Sequence, residues 1–561
     1  MMRQELELSI KSAAKELFAV ETAVELSRPD KRFGDYTTNI ALTLARQVGQ
    51  PPNQIAESLA AKLKVDLADK ISDIAVAAPG FINFKLKDEL LAQMLSNENA
   101  QPLKDQTVVI EYSDPNPFKP LHAGHLYTTL VGDMIARLVE HAGAKTVRIN
   151  YSGDVGLHVA KSLWSMIKYF GGELPDMLQD IPEAERSNWM GERYVEGNAA
   201  YEEDETAKNE IVILNKRIYQ LYTDNDHDSA LARLYFTCRQ WSYDYFQGLY
   251  QQLEVVPFDR YLPESEVTPV GVAAVEEQLV NGVYEKSDGA VVYHGENDGL
   301  HTRVFITAEG LPTYETKDVG LSLTKWRDYH YDQSIIITAN EQAQYMAVVL
   351  ASMKKFAAEP AERTRHLTHG VIRLKGGVKM SSRRGNIVSA QQILDSARQA
   401  GQATGTNPAE ETILAAIKYS FAKNRIGADI IYDPEESIAL EGNSGPYLQY
   451  AYARARSILS KADGGSGHTE AEYTQLEPTE RALLSKITEF QEVIDKAVAE
   501  LMPHHICTFL YELAQTFNNF YESNRVIGDT RQALRLDLVN NYAETLRSGL
   551  ALLGISAPER L

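Results

Sequence analysis

"TVVIEYSDPNPFKPLHAGHLYTTLVGDMIARLVEHAGAKTVRINY", residues 107–151, contains an apolar run, a glycine-bearing loop, an amphipathic stretch and a second apolar run. The two apolar runs predict buried strands, and the periodicity from His125 to Ala142 predicts a helix between them. One face of this helix carries four large apolar residues, Leu126, Leu130, Met134 and Leu138. Strand, helix and strand at this spacing are typical of a βαβ unit, so the stretch predicts an α/β fold with a parallel sheet.

The composition indicates a globular protein of several domains. The chain has 561 residues, of which 44% are hydrophobic and 24% charged. No apolar run is long enough to span a membrane, and the amphipathic start lacks the apolar block of a secretion signal. The two cysteines, Cys238 and Cys507, lie far apart in sequence, which favours reduced thiols over a disulfide or a zinc site. We therefore expect a cytoplasmic protein with no membrane association and no resident metal.

Shifts in composition along the chain predict four regions. Residues 1–100 have the pattern of a small α+β domain, and residues 101–400 that of a Rossmann-like parallel-sheet domain with insertions around 171–290. Residues 401–440 are interpreted as a connecting region, and residues 441–561 as an all-α helical bundle. Within the second region, residues 171–210 are acidic and rich in proline and glycine, so we interpret them as an insertion that lies outside the core.

The loop after the first strand carries His122, Gly124 and His125, and this position is where parallel sheets bind ligands. The dipole and unpaired N–H groups of a helix N-terminus favour an anion, and a glycine permits close approach of a ligand. Imidazoles can donate hydrogen bonds to phosphate oxygens, so the loop predicts a nucleoside triphosphate site. Two other interpretations of the histidines compete, namely metal ligands, for which a third ligand is missing nearby, and helix-capping or core residues.

A second element favours the triphosphate. The net charge is −21, with 56 Lys and Arg against 77 Asp and Glu, which alone argues against a phosphate-bearing partner. Residues 363–394 nevertheless hold seven Lys and Arg and no acid. Inside this basic segment lies "GGVKMSSRRGN", residues 376–386, whose glycines and cations suit a loop that closes on phosphates. A solvated charged loop is the alternative.

"HAGH" together with "KMSSR" resembles the paired HIGH and KMSKS motifs of class I aminoacyl-tRNA synthetases. The neighbouring residues resemble the arginyl-tRNA synthetases in particular, through "RFGDYTTNIALTLAR", "EYSDPNPFKPLHAGHL", "GLPTYETKDVGL", "EGNSGPYLQYAYARARSIL" and "GLALLGISAPERL". The match extends over nearly the whole chain. The resemblance implies an N-terminal add-on domain, a class I catalytic domain and a helical anticodon-binding domain.

The resemblance also implies roles for individual residues. The amino acid would be bound by Ser113, Asp114, Pro115, Asn116, His125, Tyr314, Asp318 and Gln342. ATP would be bound by His122, Gly124, His125, Lys379, Met380, Ser381 and Ser382. The tRNA D-loop would meet Phe81 and Asn83, and the anticodon arm Tyr447, Tyr450 and Arg454.

The chemistry of arginine agrees with these positions. A planar guanidinium with five donors is best bound by a carboxylate and an aromatic face. Tyr314 and Asp318 supply both, four residues apart at what we expect to be the end of a strand, and Glu111 can supply a further carboxylate. A lysine substrate would leave a buried acceptor unpaired, at a cost of about 1–3 kcal/mol.

Three residues depart from the pattern of the family. Ser382 stands where KMSKS has its second lysine, and the resemblance implies that Lys119, just before HAGH, offsets that loss, with Arg383 as a further cation. Tyr127 replaces an arginine that is usual after HAGH, which puts the charge near ATP in doubt. Tyr345 replaces a histidine that is usual in the glutamine segment.

The sequence therefore predicts an arginine–tRNA ligase that uses ATP, bound with Mg²⁺, and acts as a monomer on L-arginine and tRNA(Arg). His122, His125, Lys119, Lys379 and Arg383 would stabilise the charge that develops on the phosphates. A small-molecule nucleotidylyltransferase of the HxGH type is one alternative, but it would not need the helical C-terminal region. A catalytically dead paralogue that only binds tRNA is the other.

Overall fold

A five-stranded parallel sheet lies at the centre of the computed structural model, which describes residues 2–95, 101–375, 388–405, 407–462, 473 and 475–560. Its strands are β5 Thr107–Glu111, β6 Lys145–Ser152, β7 Arg260–Pro263, β11 Gln333–Ala339 and β12 Thr364–His369. The spatial order is β12-β11-β5-β6-β7, and every neighbouring pair is parallel. The α/β prediction is confirmed, and the order reverses between β5 and β11, where doubly wound sheets bind ligands.

The predicted βαβ unit is present. Helix α5, Ala123–His141, joins β5 to β6, and the four apolar residues predicted on one face are all buried. Helix α6 Leu157–Phe170 follows β6, α10 Glu264–Val280 follows β7 and α12 Ala343–Met353 follows β11, while α11 Tyr314–Tyr329 precedes β11 and α13 Ala358–Glu362 precedes β12.

The N-terminal residues form a four-stranded antiparallel sheet covered by helices, as expected for a small α+β unit. The strand order is β1-β2-β4-β3. Its elements are α1 Met2–Phe18, β1 Leu26–Ser27, β2 Tyr36–Thr38, α2 Ile40–Val48, α3 Pro52–Asp66, β3 Ile71–Ala77, β4 Phe81–Leu86 and α4 Asp88–Met94.

The insertion between β6 and β7 is helical. It contains α7 Arg186–Glu203, α8 Glu205–Thr223 and α9 Ala230–Gln252. These helices share an apolar core with α6, in which Trp189, Ile211 and Tyr235 are buried. Residues 171–210 thus lie in a segment inserted between two strands of the sheet, and three of them, Leu178, Trp189 and Met190, are buried in this core.

A second small sheet and a strand pair flank the central sheet. The small sheet is antiparallel and consists of β8 Glu285–Ser287, β9 Ala290–Tyr293 and β10 Arg303–Ile306. The pair is parallel and consists of β13 Ile372–Leu374 and β14 Ile430–Tyr432.

The last part of the described chain is helical, as the sequence predicts. Its helices are α14 Ala390–Ala403, α15 Glu410–Ala422, α16 Pro434–Ser437, α17 Gly445–Lys461, α18 Pro478–Thr488, α19 Phe490–Glu500, α20 His504–Ser523 and α21 Gln532–Leu552. In the described part of the chain, no helix has the length and apolar character needed to cross a membrane. Cys238 and Cys507 are both buried free thiols, as predicted.

Candidate active site

A cavity of about 1330 Å³ opens where β5 and β11 end, at the reversal of strand order. Its wall combines the loop after β5, the start of α11, the segment after β11 and one face of α7 from the insertion. The cavity thus collects segments that are far apart in sequence. The predicted site residues that line it are Glu111, Ser113, Asp114, Asn116, Lys119, His122, Gly124, His125, Tyr314, Asp318 and Gln342.

The two histidines cap helix α5. Nδ1 of His122 accepts hydrogen bonds from the backbone N–H groups of Gly124 and His125, at 3.1 and 3.3 Å, and Nδ1 of His125 accepts from the N–H of His122 at 3.4 Å. The rings are stacked, with centroids 3.6 Å apart. Burial lowers the pKa of His122 to about 3 and that of His125 well below its usual range, so both rings are neutral. Because each Nδ1 accepts, the single ring proton lies on Nε2, which is left as a donor for a ligand.

Two details of the predicted loop are corrected by this capping. The N–H groups of Gly124 and His125 are occupied by His122, and the N–H of Ala123 donates to the carbonyl of Val388, so these groups are not the unpaired anion donors that were expected. A Cβ on Gly124 would lie 2.9 Å from the His122 ring. The glycine therefore makes room for an imidazole of the chain itself.

Lys119 is a cation of the cavity wall without a carboxylate partner among the described residues. Its Nζ lies 5.2 Å from the centroid of the Tyr194 ring, on α7, and burial lowers the pKa of the ammonium to about 8. Tyr127 lies elsewhere, because its buried ring packs on His369 and Phe421. Tyr127 itself is not a lining residue, but it packs behind His369, which lines the cavity.

Tyr314 and Asp318 lie in the first turns of helix α11, so the expectation that they follow a strand is wrong. A spacing of four residues places both on one face of the helix. Helix α11 is held close to α10 by two glycines that no sequence pattern singled out. A Cβ on Gly271 would lie 2.0 Å from the carbonyl oxygen of Thr316, and one on Gly320 would lie 2.2 Å from that of Val267.

The acids of the cavity differ in their partners. Glu111 forms a buried ion pair with Lys325, and Glu264 forms one with Lys317. Asp318 forms an ion pair with no described lysine or arginine, and the side chain of Asp114 accepts the backbone N–H of Tyr151 at 2.8 Å. Burial, with nearby Glu111 as a further cause, raises the pKa of Asp318 to about 8 and that of Asp114 well above its usual range. The cavity therefore holds two carboxyl groups that have no cationic partner among the described residues, and a cationic ligand would favour their ionised form.

Other predicted arginine-site residues also make contacts within the protein. The hydroxyl of Ser113 lies 2.8 Å from that of Tyr250 and accepts from Thr129 at 2.7 Å, and the buried Pro115 is not among the residues that line the cavity. Asn116 packs tightly on Gly153, where a Cβ would lie 2.2 Å from its Oδ1. Gln342 ends a short 3₁₀ turn after β11.

The second predicted phosphate-binding element lies outside the described residues. This applies to Lys379, Met380, Ser381, Ser382 and Arg383. The described cations of the same basic segment are engaged within the protein. Arg363 binds Glu359, Arg373 binds Asp429 and Lys375 binds Asp433, while Arg365 donates to the carbonyls of Ala499 and Glu500. Three of these side chains thus neutralise nearby carboxylates, and the fourth, Arg365, links β12 to the end of α19.

The residues predicted to meet tRNA lie on two separate elements. Phe81 and Asn83 are on β4, where Asn83 is buried between β2 and β3. Tyr447, Tyr450 and Arg454 follow one another at helical spacing on α17. Tyr450 is exposed, Tyr447 accepts a hydrogen bond from Asn518, and the guanidinium of Arg454 lies 4.6 Å from the centroid of Tyr521.

Comparison with known proteins agrees with this architecture. A model of the catalytic domain of class I (R) tRNA synthetases matches residues 87–433, one of the arginyl-tRNA synthetase N-terminal domain residues 2–86, and one of the DALR anticodon-binding domain residues 448–561. The arginine–tRNA ligase of Synechococcus sp. is 31% identical over 94% of both chains, and that of Flavobacterium psychrophilum 29% over all of both. The arginyl-tRNA synthetase structure from Thermus thermophilus superposes with a TM-score of 0.81 at 25% identity and covers all of both chains. The chain belongs to the arginyl-tRNA synthetases, the class I (R) family of tRNA synthetases.

Proposed function

We propose that this arginine–tRNA ligase binds ATP and L-arginine side by side in the cavity between β5 and β11. The carboxylate of arginine attacks the α-phosphorus of ATP, which gives arginyl-adenylate and releases pyrophosphate. A hydroxyl of the terminal adenosine of tRNA(Arg) then attacks the acyl carbon and releases AMP. The proposal is supported above all by one cavity that carries imidazole donors and a lysine beside an excess of buried acid.

On the ATP side, the chain supplies donors that are fixed in advance. The Nε2–H groups of His122 and His125 and the ammonium of Lys119 donate to the phosphates, and Lys379 and Arg383 add charge from the KMSSR motif. Donors that need no reorganisation stabilise developing negative charge most effectively. Mg²⁺, bound together with ATP, would neutralise part of the charge of its phosphates. Gly124, Met380, Ser381 and Ser382 complete the proposed ATP contacts.

On the arginine side, Asp318 binds the guanidinium, and Tyr314 lies one helical turn before it. Asp114, Asn116 and Gln342 bind the α-amino and carboxylate groups. Glu111 supplies a further carboxylate, and Ser113, Pro115 and His125 complete the arginine site. A buried carboxyl whose pKa burial raises to about 8 gains most from a cation that enters with it. A lysine substrate offers fewer donors to the same acceptors and is disfavoured.

We further propose that tRNA(Arg) spans the chain from residues 1–100, through Phe81 and Asn83, to the helical domain at 441–561, through Tyr447, Tyr450 and Arg454. Residues 101–400 form the catalytic domain and residues 401–440 connect it to the helices. The enzyme acts as a monomer in the cytoplasm, a location supported by the buried free thiols.

Amino-acid-dependent pyrophosphate exchange, with and without tRNA(Arg), tests the proposal. Exchange supported by arginine and not by lysine, followed by arginylation of tRNA(Arg), is the expected result. Nucleotidyl transfer that runs fully without arginine and tRNA would instead indicate a small-molecule nucleotidylyltransferase. tRNA binding without arginylation would indicate a dead paralogue.

A further inference from the structure

Tyr345, near the start of helix α12, makes the only side-chain hydrogen bond of Asp318 in the described structure. Its hydroxyl donates to Oδ2 of Asp318 at 2.6 Å, and both residues line the cavity. The bond joins α11, which precedes β11 in the chain, to α12, which follows it. Because the tyrosine donates its proton, its oxygen keeps lone pairs that can accept, and Asp318 keeps Oδ1.

The surroundings of Asp318 make this single donor important. Glu111 on β5, Glu264 on α10 and Asp114 in the loop after β5 are the acids that face it, and Tyr151 on β6 is a neutral neighbour. Lys325 is the cation that acts on it, but its ammonium is paired with Glu111. Burial raises the pKa of Asp318, whereas the hydrogen bond from Tyr345 lowers it. Before a ligand enters, the hydroxyl of Tyr345 is thus the neutral group that favours the ionised form of Asp318.

We propose that Tyr345 is a positioning and specificity residue of the arginine subsite, which holds Asp318 in the orientation and ionisation state that a guanidinium requires. The inference rests on the proposed role of Asp318 as the guanidinium ligand. Tyr345 fixes one oxygen of the carboxylate from α12, so the other oxygen and the tyrosine oxygen together form a forked acceptor. A guanidinium matches such a fork, and an ammonium uses it less completely.

Tyr345→Phe removes the hydroxyl and keeps the ring. We expect the KM for arginine at pH 7 to rise about tenfold, as for loss of a hydrogen bond to a charged group, with little change in kcat or in the KM for ATP. In the wild type, the KM for arginine falls as the pH rises towards 8, because Asp318 must lose its proton to pair with the guanidinium. In the variant this fall shifts to higher pH by about one unit.

Tyr284→Phe is the matched control. The hydroxyl of Tyr284 also bonds to α12, through Ser352 at 3.1 Å, but lies outside the cavity. A purely structural loss on this helix would therefore appear in both variants as a lower melting temperature. Only Tyr345→Phe should move the pH profile and the preference for arginine over lysine.

Asp318→Asn separates this inference from the proposed function. If Asp318→Asn leaves the KM for arginine unchanged, the proposed guanidinium site is wrong. If Asp318→Asn raises that KM but Tyr345→Phe moves neither the KM nor the pH profile, only the role of Tyr345 is overturned. In the double variant, Tyr345→Phe should add nothing to Asp318→Asn, because the group on which it acts is gone.

Discussion

Asp35 and Asp318 are both buried aspartates, with 3% and 5% of their surfaces exposed, but their environments are opposite. Asp35, just before β2, accepts from both terminal nitrogens of Arg481 at 3.2 and 2.7 Å, from Ser485 at 2.9 Å and from the N–H of Leu86 at 2.8 Å. Asp318 accepts from one tyrosine hydroxyl. The difference separates a carboxylate that the protein completes for its own stability from one whose remaining acceptors suit a cationic ligand.

The Asp35 network joins the N-terminal sheet to the C-terminal helices. Arg481, on α18, also donates to Asp88 at 2.9 Å and to the carbonyl of Leu86 at 3.0 Å. Beside it, Arg28 and Tyr36 both donate to Glu492 on α19. The two regions that are proposed to hold tRNA are therefore connected by paired charges, while in the cavity Asp318 and Lys119 form no ion pair with any described residue.

The largest expected effect comes from removing Asp35, the buried carboxylate whose partners are supplied by the protein itself. Asp35→Ala leaves the mostly buried Arg481 without its main carboxylate, and removal of one partner of a buried pair costs about 3–5 kcal/mol. We expect the free energy of unfolding to fall by that amount in chemical denaturation, with a higher KM for tRNA.

Asp73→Ala, at an exposed position of β3 in the same sheet, is the control and should cost less than about 0.5 kcal/mol. Wild-type stability of Asp35→Ala would show that the Asp35–Arg481 contact contributes little to holding these regions together.

The next effect concerns the unpaired cation of the cavity. Lys119→Met removes a preformed donor to the phosphates, so the rate of pyrophosphate exchange at saturating substrates should fall about 100-fold. The KM for arginine should stay close to that of the wild type. The exposed Lys145, outside the cavity, provides the control Lys145→Met. A harmless Lys119→Met would argue against compensation for Ser382.

Asp318→Asn tests the buried carboxyl of the cavity that has no cationic partner among the described residues. Loss of a charge-assisted hydrogen bond to the guanidinium should raise the KM for arginine about 10- to 100-fold. Thermal stability should stay equal or increase, unlike that of Asp35→Ala, because a buried acid without a cation is removed. Asp328→Asn, at the far end of the same helix, should leave the KM for arginine unchanged. A drop in melting temperature as large as that of Asp35→Ala would contradict the contrast between the two sites.

The smallest expected effect concerns Tyr36, which lies next to Asp35 in sequence and donates to Glu492. Tyr36→Phe removes one donor to Glu492 but leaves Arg28 in place, so the free energy of unfolding should fall by about 1 kcal/mol. The denaturation midpoint of purified wild type and variant measures this change. An effect as large as that of Asp35→Ala would mean that the hydroxyl, and not the charge pairing, holds the two regions together.

Local patterns predicted much of the fold and part of the site. The βαβ unit, the helix after His122 and the C-terminal helices were predicted because apolar periodicity reports which face of an element is buried. The first turns of α11 were assigned wrongly to a strand end, since "TYETKD" has no apolar period of its own. The packing of the insertion could not be predicted, because its apolar residues are sparse and meet only across several helices.

The sequence by itself determined the position of the histidine loop at a strand end and the family to which the chain belongs. Both can be recognised from short stretches of residues that are adjacent in the chain. Only the tertiary structure decided which charges are paired. Lys325 neutralises Glu111 across 214 residues, and Arg481 completes Asp35 across 446. Electrostatic partners are chosen by distance in space, and a buried carboxylate therefore becomes structural or ligand-binding according to groups that its own segment does not contain.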